Sequence, residues 1–294
     1  MNQPRLYASS NELQRRDAAA VLREYSPRLR WGGGEGGGRA GEDDDEGDAV
    51  LDVGCGTGEV TASLLLPALP ARVRRVVGAD LSPAMVRYAG AQHRDPRLLF
   101  VEADIAAPDL HRSPLAAQAG PRGFFKLFSF YCLHLVDQRM ALRNMNVLLA
   151  PGGEALLAFL AKCPIFNVYE SLAKYPQWRR YMTDVRKYVS PYQNCKDPVR
   201  EFSTLLDEEG FIILDCCCKE LNFEYLSLEC LRDAVTSVNP FIERIPEGER
   251  AQFVVDIMKE IITQKLVTFV EDDMQKKITF TYSLLVAFIE KSRN

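Results

Sequence analysis

The residues best placed to do chemistry lie in one short run, Val50–Glu59, which reads VLDVGCGTGE. An apolar strand there runs into closely spaced glycines and then into a helix that begins near Glu59. Such a turn lets a ligand approach the backbone N–H groups at a helix N-terminus. A dinucleotide fingerprint spaces its glycines G-x-G-x-x-G. Here Gly54, Gly56 and Gly58 follow G-x-G-x-G, and Glu59 stands where the third fingerprint glycine belongs. Asp52, two residues before the first glycine, sets a carboxylate where a pyrophosphate would lie. That charge repels phosphate and suits a cationic ligand.

Two further acids end the next two predicted strands: Asp80 closes RVVGAD and Asp104 closes LLFVEAD. Singly, each reads as a helix cap or a solvated strand end. Together, after that glycine spacing, the three describe a site for S-adenosylmethionine, which carries a sulfonium and an amino group and no phosphate. Asp80 is then placed for the two ribose hydroxyls and Asp104 for the adenine amino group. Leu81, Met85 and Ile105 are available to the ring faces. The backbone of Gly54, Cys55 and Gly56, with Phe130 at the end of the fourth strand, completes the expected cofactor set.

The elements that must carry these residues alternate. After the strand at 49–53 come a helix, the strand RVVGAD, a helix over Pro83–His93, and the strand LLFVEAD. A fourth strand (FFKLFSFYCL), a helix over Arg139–Leu149 that stops at Pro151-Gly152-Gly153, and a fifth strand (GEALLAFLA) follow. Strands alternating with helices imply right-handed parallel crossovers and a sheet covered on both faces. Residues 163–200 break the pattern: they are rich in aromatics, helical in spacing and without a strand. A helix over EFSTLLDEEG, the strand FIILDCCCKELNFEYL, a helical pair over 228–269 and the long strand KKITFTYSLLVAFIE end the chain. The expected fold is therefore α/β and Rossmann-like: a mostly parallel seven-stranded sheet with an antiparallel edge strand, helices on both faces and a helical lid. One domain is expected, divided into N-terminal helices (1–30), a loop (32–48), the cofactor core (49–162), the inserted lid (163–200) and C-terminal strands and helices (201–294).

Composition narrows the class. The chain has 294 residues, 47% hydrophobic and 26% charged, with 36 Lys plus Arg against 40 Asp plus Glu and a net charge of −4. This is ordinary globular composition, and it gives no reason to expect a nucleic-acid partner. No run reaches the roughly 18 consecutive apolar residues of a membrane span. The first residues, MNQPRLYASSNELQRRD, lack the apolar core of a signal peptide, so a cytoplasmic location is expected. Residues 32–48, with six glycines between Gly32 and Gly38 and six acids between Glu42 and Asp48, read as a solvated loop. Eight cysteines read as reduced thiols. Consecutive strand residues point to opposite faces, so Cys216-Cys217-Cys218 cannot readily converge on one ion, and no metal is expected. His93 and His111 suggest no chemistry.

Several segments together resemble the arthropod juvenile hormone acid methyltransferases, within the class I methyltransferases. These are RLYASSNELQRRDAAAVLREY, VLDVGCGTGEVT, LLLPALP, FSFYCLHLV, PGGEALLAFLAKCPIF, YMTDVRKYVSPYQ and VNPFIERIP. The resemblance implies transfer of a methyl group from S-adenosylmethionine to the carboxylate of farnesoic acid or juvenile hormone acid. It implies S-adenosylhomocysteine as by-product, and a monomer or homodimer is expected. A carboxylate is already ionised at neutral pH, so positioning and exclusion of water matter more than a general base. In the family a Gln of the N-terminal helix and a Trp after the fourth strand hold the substrate carboxylate. Gln14 matches the first. The family's LHW reads Leu133-His134-Leu135 here, so the resemblance leaves carboxylate orientation to Gln14, with His134 or Tyr131 as further candidates. His134 has a structural reading as well. For a long isoprenoid tail, Ile165, Phe166, Tyr169, Trp178, Tyr181, Met182, Val185, Tyr188 and Tyr192, together with Leu135, are expected to line an apolar tunnel; each could instead simply pack the lid onto the core. Alternatives are a same-fold methyltransferase for another small lipophilic acid, or a weak paralogue that binds the precursor.

Overall fold

The computed structural model describes residues 3–31, 48–272 and 275–293. The predicted glycine and acid loop at 32–48 lies outside these, apart from Asp48. Helices α1 (Pro4–Ser10) and α2 (Glu12–Tyr25) precede β1 (Asp48–Val53). A wide turn at Thr61–Leu65 and α3 (Leu66–Ala68) lead to β2 (Val73–Asp80), α4 (Pro83–Gln92), β3 (Leu98–Glu102), α5 (Pro114–Gln118) and β4 (Phe124–Phe130). Then come α6 (Gln138–Leu148), β5 (Leu149–Lys162), α7 (Pro164–Leu172), α8 (Pro198–Glu208) and β6 (Phe211–Tyr225). The chain continues through α9 (Leu228–Ser237), α10 (Glu247–Thr263), β7 (Thr268–Asp272) and β8 (Gln275–Lys291).

The strands form one sheet in the order β3-β2-β1-β4-β5-β8-β6, with β7 paired to β8. From β3 to β5 all neighbours are parallel, whereas β8 runs antiparallel to both β5 and β6. The antiparallel pairing thus occupies one end of the sheet. An eighth strand joins the seven expected: the region predicted as helical to residue 269 ends its helix at Thr263, and β7 makes a hairpin with β8. At β5 the strand begins at Leu149, ahead of Pro151-Gly152-Gly153. Its register against β4 jumps from Phe124↔Leu149 to Lys126↔Glu154 and so absorbs the extra residues.

Every residue of β1 after Asp48 is buried, as a central parallel strand covered on both faces must be. Successive side chains feed two cores. Val50, Val76, Phe128 and Leu156 join one with α2, α7 and α10, while Leu51, Val77, Leu127 and Leu157 join the other with α6 and α8. The cysteine run obeys the same alternation, with Cys217 against the first core and Cys216 and Cys218 against the second. Because β2 and β4 flank β1 and the chain leaves them toward opposite sides, a crevice opens beyond their carboxyl ends.

Residues 163–200 contain no strand, and their only α-helix before α8 is α7; tight turns at Arg179–Tyr181 and Val185–Tyr188 follow. Pro176 and Pro191 remove backbone donors that longer helices would need.

Candidate active site

The glycine loop is hitched to β2 by two backbone bonds, Gly54 N and Cys55 N donating to Ala79 O at 2.7 and 3.0 Å. Gly54 has φ +75°, and a Cβ there would lie 2.5 Å from Cys132 Cβ, so only glycine fits. Gly56 N then donates to Asp80 Oδ2 at 2.9 Å and Ser82 N to Asp80 Oδ1 at 2.8 Å. Each oxygen of Asp80 thus takes one backbone donor and keeps acceptor capacity free for a ligand. Burial raises the Asp80 carboxyl above its ordinary range, against the pull of these two bonds. At the next strand end Asp104 Oδ1 accepts from Ala106 N at 2.9 Å. Ser82 caps α4, its Oγ accepting from Met85 N at 3.3 Å with Pro83 in the first helical position, which fixes Met85 at the site.

These residues enclose a cavity of about 390 Å³, within the range of small-molecule sites. Gly54, Gly56, Asp80, Leu81, Met85, Asp104, Ile105 and Phe130 all line it. Its charged walls are Asp80 and Asp104, and no Lys or Arg contributes to the lining. An acidic cavity without a cation of its own fits a ligand that brings positive charge and no phosphate, as S-adenosylmethionine does.

Two residues of the expected set stand behind the wall. Cys55 is buried, its sulfur turned toward Gly78. Asp52 is 2% exposed and accepts from Thr61 Oγ1 at 2.6 Å. Burial, reinforced by Asp80 and opposed by the Thr61 bond, pushes its carboxyl up to about 7. Neither belongs to the cavity lining, which this stretch of chain reaches at Val53, Gly54 and Gly56: β1 is covered on both faces, so the Asp52 side chain is enclosed behind them. Glu59, at the missing fingerprint glycine, accepts from Thr57 Oγ1 and, at 3.4 Å, from Asn11 Nδ2, and thereby ties the α1–α2 joint to the loop.

A second, smaller cavity of about 60 Å³ adjoins the first. Tyr7, Tyr131, Leu135, Val238 and Pro240 line both. Leu160, Ile165, Phe166 and Tyr169 make its remaining walls apolar, and Gln14 and His134 supply its polar groups. Gln14 Oε1 and His134 Nδ1 are buried without a hydrogen-bond partner. Leaving two such atoms unsatisfied is unfavourable, and both belong to the lining of one cavity. Burial lowers the His134 imidazole to about 3, so it is neutral at physiological pH and available as a hydrogen-bonding group without charge.

Tyr188 lines the larger cavity only. Of the lid residues predicted for the tunnel, Trp178, Tyr181, Met182, Val185 and Tyr192 line neither cavity. Trp178 is 2% exposed, donates from Nε1 to Asp256 Oδ2 at 3.0 Å and packs edge-on against Phe253, so it fastens the lid to α10. Tyr192 donates to Gln138 Oε1 at 2.7 Å and packs against Phe159 and Phe202 in the core of the opposite face. Met182 is buried in the first core, with Tyr181 and Val185 packed against it. Tyr7, Cys132, Val136, Val238 and Pro240 were missed. Tyr7 and the Val238–Pro240 turn do lie within RLYASSNE and VNPF, two of the segments that carry the family resemblance, and that was the available signal. Burial first, then Asp80, Glu59 and Asp52, raise the Tyr7 phenol.

Comparison with known proteins agrees with this geometry. Residues 50–153 match the family model described as a methyltransferase domain. A juvenile hormone acid O-methyltransferase of Drosophila melanogaster is 36% identical, over 99% of this chain and 93% of that protein. One of Bombyx mori is 32% identical, over 99% of this chain and 98% of that protein. The crystal structure of a putative methyltransferase from Bacillus halodurans superposes with a TM-score of 0.51 at 16% identity, covering 94% of this chain and 99% of that one, a likeness of fold alone. With the acidic crevice on the glycine loop and relatives matched end to end, the chain belongs to the juvenile hormone acid O-methyltransferase family and is a class I, S-adenosylmethionine-dependent methyltransferase.

Proposed function

We propose that the protein methylates the carboxylate of farnesoic acid or juvenile hormone acid, releasing methyl farnesoate or juvenile hormone. The observation that carries this reading is the pair of unpartnered polar groups, Gln14 and His134, lining an apolar cavity that shares a wall with the acidic one. S-adenosylmethionine supplies the methyl group when bound. Asp80 and Asp104 offer acceptors to its ribose hydroxyls and adenine amino group, while Leu81, Met85 and Ile105 cover the ring. Asp52, set one layer back, adds negative potential favourable to a cation.

On the acceptor side the Gln14 amide can present its NH2 to one carboxylate oxygen by a half-turn of its last torsion. His134, in the tautomer with the proton on Nδ1, donates to the other. An acid of ordinary pKa arrives ionised, so no residue has to remove a proton. Ile165, Phe166 and Tyr169 hold the first part of the tail and exclude water, which strengthens the two donor contacts. Leu135 offers no donor. The acceptor is a small lipophilic acid, handled by a monomer or homodimer in the cytoplasm. A shorter lipophilic acid is the second reading, favoured by Leu135 and by the 60 Å³ of the acceptor cavity.

The test is methyl-ester formation by purified protein with S-adenosylmethionine and farnesoic acid, juvenile hormone acid, lauric acid or palmitic acid. Turnover confined to the terpenoid acids is expected. Cofactor binding without any ester from the terpenoid acids would remove this substrate assignment.

A further inference from the structure

Tyr131 is one of two non-glycine residues with positive φ among the described residues, at +60°. A side chain in that conformation is strained, and such strain persists only where surrounding contacts over-determine it. Tyr131 follows β4 directly. Its N–H still donates to Ala158 O of β5 at 2.7 Å, so the chain turns sharply while held to the sheet. The residue belongs to the walls of both cavities. Its ring meets His134 edge-on at 6.3 Å.

What holds the turn is a single buried carboxylate. Tyr131 Oη donates to Asp17 Oδ2 at 2.6 Å. Asp17, 3% exposed, also accepts from Tyr282 Oη and from Arg16 Nε and Nη2 at 3.0 and 2.8 Å. Arg16 Nη2 in turn donates to Tyr282 Oη at 2.7 Å, and Arg16 Nη1 to Asn222 O at 2.6 Å, so the carboxylate is braced against β8 and β6. Asp17 lies three residues after Gln14 on α2, which puts the two on one face of the helix. Thus α2 carries both the proposed carboxylate donor and the anchor of the wall beside it.

We propose that Asp17 is a positioning residue for methyl transfer, acting through the Tyr131 hydroxyl to hold the ring that separates the donor and acceptor cavities. The proposal rests on the methyltransferase reading of that junction. In-line displacement requires the reacting atoms to face each other closely, and misplacement by about 1 Å is enough to lower the rate strongly. Without the hydroxyl the strained residue is free to relax, and the wall moves with it.

Tyr131→Phe keeps the ring and deletes only the hydroxyl, with its bond to Asp17 and its contact with the Tyr282 hydroxyl. Tyr282→Phe deletes the same kind of bond to the same carboxylate, and the bond from Arg16 as well, from a residue that lines neither cavity, so a purely structural role predicts an effect at least as large. The expected result is a kcat at least tenfold lower for Tyr131→Phe, with cofactor Kd within twofold of wild type, and a kcat within twofold for Tyr282→Phe. A Tyr131→Phe enzyme with kcat within twofold of wild type overturns the proposal, as does a loss at least as large in Tyr282→Phe. If the wild-type protein esterifies no terpenoid acid, the substrate reading fails. Crystal structures of wild type and Tyr131→Phe with S-adenosylhomocysteine then decide the proposal by themselves. A ring displaced by more than about 1 Å upholds it, and a ring that superposes on wild type refutes it.

Discussion

Replacing Asp52 by Asn should strengthen the free protein and weaken its hold on the cofactor. The carboxyl is fully enclosed, has one hydrogen bond, from Thr61, and is pushed up to about 7 from an ordinary value of 3.8. A rise of that size makes ionisation inside the fold harder by about 4 kcal/mol than in the unfolded chain. The sign follows from proton binding. At pH 3 and below, the group is mostly protonated in both the folded and the unfolded chain, and it contributes almost nothing. Between about pH 4 and pH 7 the unfolded chain gives up the proton while the folded protein keeps it, so stability falls by about 1.4 kcal/mol per pH unit. Above pH 7 the deficit stays level at its full value. Asn has the same shape, accepts from Thr61 in the same way and cannot ionise. The stability of Asp52→Asn minus that of wild type should therefore be near zero at pH 3, already about 1 kcal/mol at pH 4.5, rise through pH 7 and then plateau. For a chain of this size a plateau of about 4 kcal/mol corresponds to roughly 6–8 °C in Tm. Thermal unfolding of both proteins from pH 3 to pH 9 reads the difference directly, with every other titrating group cancelling. Calorimetric titration with S-adenosylmethionine reads the opposite cost, an expected rise in Kd of at least tenfold. A Tm difference independent of pH, or a variant less stable than wild type at pH 8, would refute the reasoning, because the carboxylate would then have to be ionised and favourably paired inside the fold.

Other substitutions separate the parts of the site. Gly54→Ala forces a side chain into a φ of +75° and to within 2.5 Å of Cys132 Cβ; titration should show cofactor affinity lowered more than tenfold, with Tm reduced as well. Trp178→Phe removes the donor to Asp256 and should destabilise by about 1–3 kcal/mol, seen in denaturant melts, while KM for the acid stays within twofold, because Trp178 lines neither cavity. Leu135→Trp places an N–H donor at the wall common to both cavities and should raise kcat/KM for the terpenoid acid at least threefold; a fall would mean that the smaller side chain is needed for room.

The parts of the site visible in the sequence are those whose chemistry and position coincide along the chain. The three strand-end acids and the glycine turn are local features: strand period, glycine spacing and a polar residue ending an apolar run locate them without any knowledge of distant contacts. Their fold context follows from the same alternation, which is why the parallel half of the sheet was readable while β7, five residues paired only through a hairpin to β8, was not. The lid went differently. An aromatic-rich segment announces that its side chains will be buried, and not against what. Trp178 and Tyr192 look alike by composition, yet one is claimed by Asp256, 78 residues on, and the other by Gln138, 54 residues back on the opposite face of the sheet.

Asp17 shows the same limit in its sharpest form. Within QRRDAAAVL it reads as one more polar residue on an amphipathic helix, and helical period alone would place it among Leu13, Val21 and Leu22, on the buried stripe where a carboxylate does not belong. Its burial is tolerable only because Tyr131, Tyr282 and Arg16 all donate to it, and the two tyrosines come from 114 and 265 residues away. A conflict between residue type and helical position was therefore present in the sequence. It marked the place where distant elements converge, and that place is the junction of the two cavities. Polar residues that fall on an apolar stripe are thus a sequence-level pointer to a site, even though the partners that justify them emerge only once the sheet is assembled.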